Sequence, residues 1–169
     1  KLAVTDTSVL IDLFDTDLLN AFFKLPYEVH LTNQILFELF EEQRDILDQF
    51  VKSGKLEVYT FTDADRADEA SFSFSKGLSD PDKSVLIYTH SIGAIVLSGD
   101  KLIRNKAKSL GLQYHGILWI FDQLVDGGLL EPPVAIEKLR KLIKHNLLYR
   151  DSKVMGKGLT DRIRIWGNS

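Results

Sequence analysis

The chain contains no cysteine and a single methionine among its 169 residues. Disulfides, thiolate metal sites and a cysteine nucleophile are therefore excluded at the outset. Its four histidines, His30, His90, His115 and His145, lie too far apart to give zinc-ligand spacing, so structural or surface roles are expected for them. There is no Gly-x-x-x-x-Gly-Lys phosphate loop and no Gly-x-Ser-x-Gly elbow, which removes nucleotide-loop chemistry and serine esterase chemistry. No apolar run approaches the length of a membrane helix, and Lys1-Leu2-Ala3-Val4 enters a strand pattern directly, unlike a signal peptide. A cytoplasmic protein without a membrane partner is expected. The chain begins at Lys1 without a methionine, so one or more residues are expected to precede it.

What is present is the balance of an ordinary globular protein: 44% apolar and 27% charged residues, well away from the low hydrophobicity that leaves a chain disordered. The length suits one domain, or one domain with an appendage. The net charge of -3 conceals an asymmetry. Residues 137–169 hold nine Lys or Arg against three acids, a local +6, leaving 12 basic and 21 acidic residues, or -9, on the remainder. An acidic body suits metal and a basic end suits phosphate, although from charge alone a solvated helix face with a loose end is the simpler account.

Hydrophobic periodicity predicts a strand at Leu2–Thr5, a helix from Ser8 to about Lys24 ended by Pro26, and a second strand at Glu28–Leu31. Thr32 or Asn33 can cap a long helix to Lys52, after which Leu56–Phe61 reads as a third strand. Asp63 opens a charged helix to about Ser75, and Asp80-Pro81 starts another over Asp82–Ser91. A strand at Ala94–Ser98, a helix at Lys101–Leu110 and a fifth strand at Leu112–His115 follow. Two helices, Ile117–Val125 and Val134–Leu148, complete a domain of residues 1–149, with residues 150–169 a basic tail or an added edge strand. This alternation predicts a three-layer α/β/α fold: a central, mostly parallel five-stranded sheet plus C-terminal helices. Ligands of such sheets sit beyond the carboxyl ends of the strands where strand order reverses, and Asp6 and Asp100 both follow strands.

Three segments carry candidate chemistry. Val4-Thr5-Asp6-Thr7-Ser8 places an acid and two hydroxyls at a strand end, and Ser79-Asp80-Pro81-Asp82 opens a helix. Ser98-Gly99-Asp100 follows a strand. Each alone is satisfied by helix capping. Asp6-Thr7-Ser8 lacks a second Asp two residues on, which argues against a haloacid-dehalogenase-like phosphatase.

Together the segments resemble the PIN domain family (PilT N-terminus-like, including its toxin-like subgroup), over roughly residues 2–130. The match comprises a strand-end Asp followed by Thr or Ser, a Glu in the helix after the second strand, an Asp opening a later helix, and a Ser-x-Asp tripeptide. Here these are Asp6 with Thr7, Glu38, Asp82, and Ser98 with Asp100. Asp80 or Asp82 can fill the third position; Asp82 is preferred for its spacing to Leu86, leaving Asp80 to cap. Gly99 stands where some relatives carry a further acid, which would weaken metal affinity.

The resemblance implies Mg2+ or Mn2+ bound by Asp6, Asp82 and Asp100 directly or through water, with Glu38 completing the site and Ser98 and Thr7 in support. Hard cations prefer such oxygen donors. It implies a metal-dependent endoribonuclease, with an RNA substrate. A toxin of a toxin–antitoxin pair, with an antitoxin partner, or a homodimer would fit the same family. Lys101, Arg104 and Lys108 share one helix face and are weaker candidates for RNA contact, a solvated face being the simpler account. The alternative function is a catalytically inactive PIN-fold adaptor that binds RNA or protein.

Overall fold

The computed structural model describes residues 1–67 and 69–167. In chain order its elements are β1 (Leu2–Thr5), α1 (Thr7–Asp15), α2 (Leu19–Phe22), β2 (Glu28–Thr32), α3 (Asn33–Glu38), α4 (Glu41–Lys52) and β3 (Leu56–Tyr59). There follow α5 (Asp80–Ile92), β4 (Ile95–Leu97), α6 (Lys101–Ser109), β5 (Tyr114–His115), α7 (Ile117–Asp126), α8 (Pro132–His145), α9 (Leu147–Arg150) and α10 (Lys153–Trp166). The backbone forms two compact units, one of residues 1–11 and 26–116, the other of residues 12–25 and 117–169.

The first unit holds a five-stranded sheet in the order β3-β2-β1-β4-β5, every pair parallel. Ala3, Val4 and Thr5 of β1, Val29 to Thr32 of β2 and all of β4 are buried at consecutive positions. Because side chains alternate across a strand, this means both faces of the central strands are covered, as an all-parallel sheet requires. Strand order reverses between β1 and β4, so the crevice beyond their carboxyl ends is the switch point.

One helix ties this sheet together through polar contacts. Ser79 caps α5 by accepting from the Asp82 amide, and Gly93, at φ +64°, ends it in the left-handed conformation that glycine adopts without strain. Along its length Ser84 Oγ meets Thr32 Oγ1 at 2.7 Å, and one turn on Tyr88 Oη lies 2.8 Å from His30 Nδ1. Both partners stand on β2, two residues apart and so on one face.

Several expected elements are interrupted, each for a local reason. The helix expected from Ser8 to Lys24 stops at Asp15, where Asp17 takes φ +53° and Leu18 N donates back to Leu13 O at 3.0 Å. That is a left-handed C-terminal cap, a conformation Asp tolerates better than most side chains. The helix expected from Asn33 to Lys52 breaks at Leu39, which is extended and buried, and Gln43 accepts from the Phe40 amide to start α4. Among the described residues of 63–75, two single-turn 3-10 segments form, Asp63–Arg66 and Glu69–Phe72, in place of the expected helix. There Asp65 accepts from Thr62 N and from Tyr59 Oη, both at 2.7 Å, giving the chain a turn in place of a helix.

The second unit corrects the expectation for residues 150–169. Neither a tail nor an edge strand is formed through Trp166; Lys153–Trp166 is the helix α10, capped by Ser152. Met155, Gly158, Arg162 and Trp166 recur at helical spacing and turn inward. A Cβ on Gly158 would come within 2.5 Å of Leu118 Cδ1, so α10 approaches α7 closely enough that a larger residue there would displace the Leu118 side chain. Arg162 donates to Leu118 O at 3.1 Å and to the Asp122 carboxylate. Asp12, 1% exposed, accepts from Asn146 Nδ2 and from Tyr149 Oη, which fixes α9 within the same unit.

Candidate metal centre

Asp6 follows β1 at the switch point, and its amide donates to Leu97 O of β4 at 3.0 Å. Its carboxylate is 2% exposed and held entirely by neutral donors. Oδ1 accepts from Ser8 Oγ at 2.8 Å and from Val9 N at 3.1 Å, and Oδ2 accepts from Ser8 Oγ at 2.9 Å and Ser98 Oγ at 2.5 Å.

The two hydroxyls are themselves aimed. Ser8 Oγ accepts from Gly99 N at 2.8 Å and Ser98 Oγ accepts from Asp100 N at 3.0 Å, so both O–H bonds are directed at Asp6. The Ser98-Gly99-Asp100 turn after β4 thereby grips the carboxylate at the end of β1. Ser8, whose hydroxyl a helix cap alone would explain, reaches both Asp6 oxygens, at 2.8 and 2.9 Å; the signal was a hydroxyl two residues after a strand-end acid.

Burial nevertheless dominates the electrostatics. It raises the Asp6 pKa from 3.8 to about 6, against the lowering effect of bonds from Ser98, Val9 and Ser8, and the charge of Asp82 pushes the same way as burial. No Lys, Arg or His pairs with Asp6 among the described residues. A buried carboxylate beside a second carboxylate, without a cation, favours any positive charge that can reach it.

The other expected residues surround this point in distinct ways. Glu38 is exposed and, because the helix breaks after it, it ends α3 instead of lying mid-helix beside Glu41 and Glu42. Its carboxylate accepts from Thr7 Oγ1, the residue next to Asp6. Asp82 is half-buried, with Oδ2 accepting from Ser79 N at 2.8 Å. Asp80 does not cap α5; Ser79 and Asp82 do so, while Asp80 faces Lys83 at 3.4 Å and Arg66 at 3.6 Å. Asp100 is exposed, and its Oδ1 caps α6 by accepting from Leu102 N at 2.7 Å and Ile103 N at 2.9 Å.

Thus Asp6, Ser98, Asp100 and, through Thr7, Glu38 are linked by hydrogen bonds, and Asp82 is coupled to Asp6 through its charge. They are not drawn into a tight cage. The trio of acid or histidine donors within 4.8 Å of one another among the described residues is Glu28, His30 and Glu57, outside the expected set. The physical reason is that Asp82 and Asp100 each spend an oxygen on a helix N-terminus.

On α6, Lys101 and Lys108 are exposed, Arg104 is half-buried, and none of the three is ion-paired among the described residues. Among the aromatic side chains, Phe121 is fully buried, whereas Phe72, Phe74 and Trp119 are half-buried. More conspicuous are Phe37 and Phe40, 71% and 76% exposed, which bracket Glu38 at the α3–α4 break.

A family model described as a PIN domain matches residues 2–160, and the chain belongs to that family, whose members are generally metal-dependent nucleases. Among solved structures, it is similar to a PilT N-terminus domain protein from the hyperthermophilic archaeon Sulfolobus solfataricus P2. The two share 19% identity with a TM-score of 0.47, over 75% of this chain and 92% of that one. A search of curated proteins returned no match. No helix among the described residues is long and apolar enough to cross a membrane.

Proposed function

We propose that this protein is a metal-dependent endoribonuclease that hydrolyses RNA phosphodiester bonds at the β1–β4 switch point. The observation that carries the reading is Asp6: a buried carboxylate with a raised pKa, adjacent to Asp82 and without a cationic partner. The donor set consists of hard carboxylate oxygens, which fits Mg2+ or Mn2+ and disfavours softer ions. Asp6, Asp82 and Asp100 would hold the ion, directly or through water, with Glu38 completing the site. A bound divalent ion supplies a lowered pKa for attached water and charge neutralisation at the scissile phosphate.

The chain's own side chains prepare the rest. Ser8 and Ser98 fix the orientation of Asp6, so that its lone pairs are not free to turn away. Thr7 restrains Glu38, an otherwise mobile exposed side chain, beside the same point. Lys101, Arg104 and Lys108 offer unpaired positive charge on the helix that begins at Asp100, the place where a phosphate backbone would run. Phe37 and Phe40 present exposed ring faces beside Glu38, and unstacked bases of single-stranded RNA bind such faces.

The test is cleavage of a labelled single-stranded RNA in Mn2+, with the parent, with chelator, and with Asp6→Asn. Cleavage by the parent alone supports the reading; equal cleavage by Asp6→Asn in nuclease-free preparations overturns it. RNA binding without any cleavage would instead favour the inactive adaptor. The finer reading, a toxin held by an antitoxin, rests on the family's small members. It predicts growth arrest on expression that Asp6→Asn relieves.

A further inference from the structure

A second group of side chains of metal-ligating type lies closer to the amino end of the sheet. Glu28 and His30 are two residues apart on β2 and so share a face, and His30 stands in register with Glu57 on β3. The imidazole is 5% exposed. Its Nε2 lies 3.4 Å from Glu28 Oε1 and 4.0 Å from Glu57 Oε2, and the three donor atoms all fall within 4.8 Å of one another.

Two features distinguish this trio from an ordinary acidic patch. The first is the histidine itself. Nδ1 is engaged at 2.8 Å by Tyr88 Oη, which is clamped in turn by a stacked Tyr59 ring 4.0 Å away, so the ring orientation is fixed from behind. Nε2 is aimed between the two carboxylates, with a long 3.4 Å hydrogen bond to Glu28 Oε1 and a wider 4.0 Å contact to Glu57 Oε2, so the shorter bond to Tyr88 is the one that holds the ring. A metal-bound histidine is held by this same device, with the far nitrogen fixed by an outer partner. The second is charge: among the described residues neither Glu28 nor Glu57 is paired with Lys or Arg.

Geometry selects the occupant. Zinc bonds to nitrogen and oxygen of about 2.0–2.2 Å place tetrahedral donors roughly 3.4 Å apart. The Nε2 to Glu28 separation already has that value, and the Glu57 carboxylate needs only a small side-chain rotation on an exposed edge.

We propose that Glu28, His30 and Glu57 form a binding site for a zinc-class divalent ion, separate from the acids around Asp6. Three protein donors leave the fourth position to water. The ion cross-links β2 to the edge strand β3, so its expected role is to stabilise that edge of the sheet. Nitrogen in the donor set separates it chemically from the all-oxygen switch point, which favours Mg2+ or Mn2+.

The experiment uses the full chain carrying Asp6→Asn, Asp82→Asn and Asp100→Asn, which neutralises the three carboxylates proposed to hold the switch-point ion, and titrates Zn2+ against a chromophoric competitor. One zinc equivalent should bind and raise the melting temperature. Adding Glu57→Gln or Glu28→Gln, both exposed positions whose change leaves the core alone, should each weaken binding by about tenfold or more. Co2+ in place of Zn2+ should give the visible absorption of a tetrahedral nitrogen–oxygen site, and Glu57→Gln should abolish it. Zinc affinity that ignores both glutamine substitutions, or the absence of any bound equivalent, overturns the site.

Discussion

Asp6 is almost fully buried and Asp122 partly so, and burial raises the pKa of each. Their surroundings then diverge. Asp122 receives the Arg162 guanidinium, which lowers its pKa in opposition to burial, and the pair joins α7 to α10. Asp6 receives hydroxyls and an amide from neutral groups and has Asp82 as its charged neighbour. One carboxylate is closed by the protein's own cation; the other is oriented by the protein and left without one. The contrast shows that burial alone does not mark a functional acid. What marks it is burial combined with a missing counter-charge and side chains spent on aiming it.

The sharpest way to break this comparison is to neutralise each acid in turn. Asp6→Asn should reduce Mn2+-dependent RNA cleavage by more than about 100-fold, beyond the loss expected for an outer-shell partner of a metal. Asp122→Asn should leave cleavage per folded molecule near the parent value while lowering the melting temperature. Reversed outcomes would mean that the two sites have been assigned to the wrong roles.

The next largest effect is in pH dependence without metal. Between pH 4 and 6 the unfolded chain ionises Asp6 while the folded chain retains the proton. Stability therefore falls as pH rises through that window, by about 2–3 kcal/mol, and is constant above it with respect to this group. Denaturant melts at pH 4 and pH 7 measure it. Asp6→Asn should flatten the profile, as should saturating Mg2+, which keeps the carboxylate charged in the folded state.

On the other side of the comparison, Arg162→Met strips Asp122 of its cation. The cost should be about 1–3 kcal/mol, below that of a fully buried pair because the Asp122 side chain is 34% exposed. Urea melts should record it, and the double variant with Asp122→Asn should recover part of the loss. Smaller still are the contributions to RNA affinity. Phe37→Ala and Phe40→Ala should each weaken single-stranded RNA binding by about 1–3 kcal/mol if their rings stack bases, without changing the salt dependence. Charge removal at Lys101 or Lys108 should flatten the log–log salt slope by about 0.7 for each phosphate no longer neutralised.

The strands that flank the switch point were legible because the short buried runs and their punctuation are local signals, whereas the order β3-β2-β1-β4-β5 depends on long-range pairing and was not. Leu2–Thr5 and Ile95–Leu97 need no distant information to read as strands. The acids were legible only jointly, since Asp6, Asp82 and Asp100 each do cap or abut a helix, as the simplest account of each would have it. Helix interruptions were not legible. Asp17 in a left-handed cap and Leu39 in an extended conformation are decided by packing, which overrides a continuous helical period. The α10 helix was hidden for a similar reason: Ile163-Arg164-Ile165-Trp166 alternates like a strand, while the face that counts runs through Gly158 and Arg162. Cutting the chain after Tyr149 would remove buried Met155 and Trp166, so the RNA contribution of the basic end is better tested by substituting exposed Lys153, Lys157 and Arg164.

The central claim, that the carboxylates at the switch point exist to hold a hard divalent ion, is tested most directly by calorimetric titration of Mg2+ into the full chain. Magnesium is chosen because it disfavours the nitrogen donor at His30. The parent and Asp122→Asn should bind with matching affinity, and Asp6→Asn should bind at least about tenfold more weakly or not at all. Magnesium binding by Asp6→Asn indistinguishable from that of the parent would contradict the account.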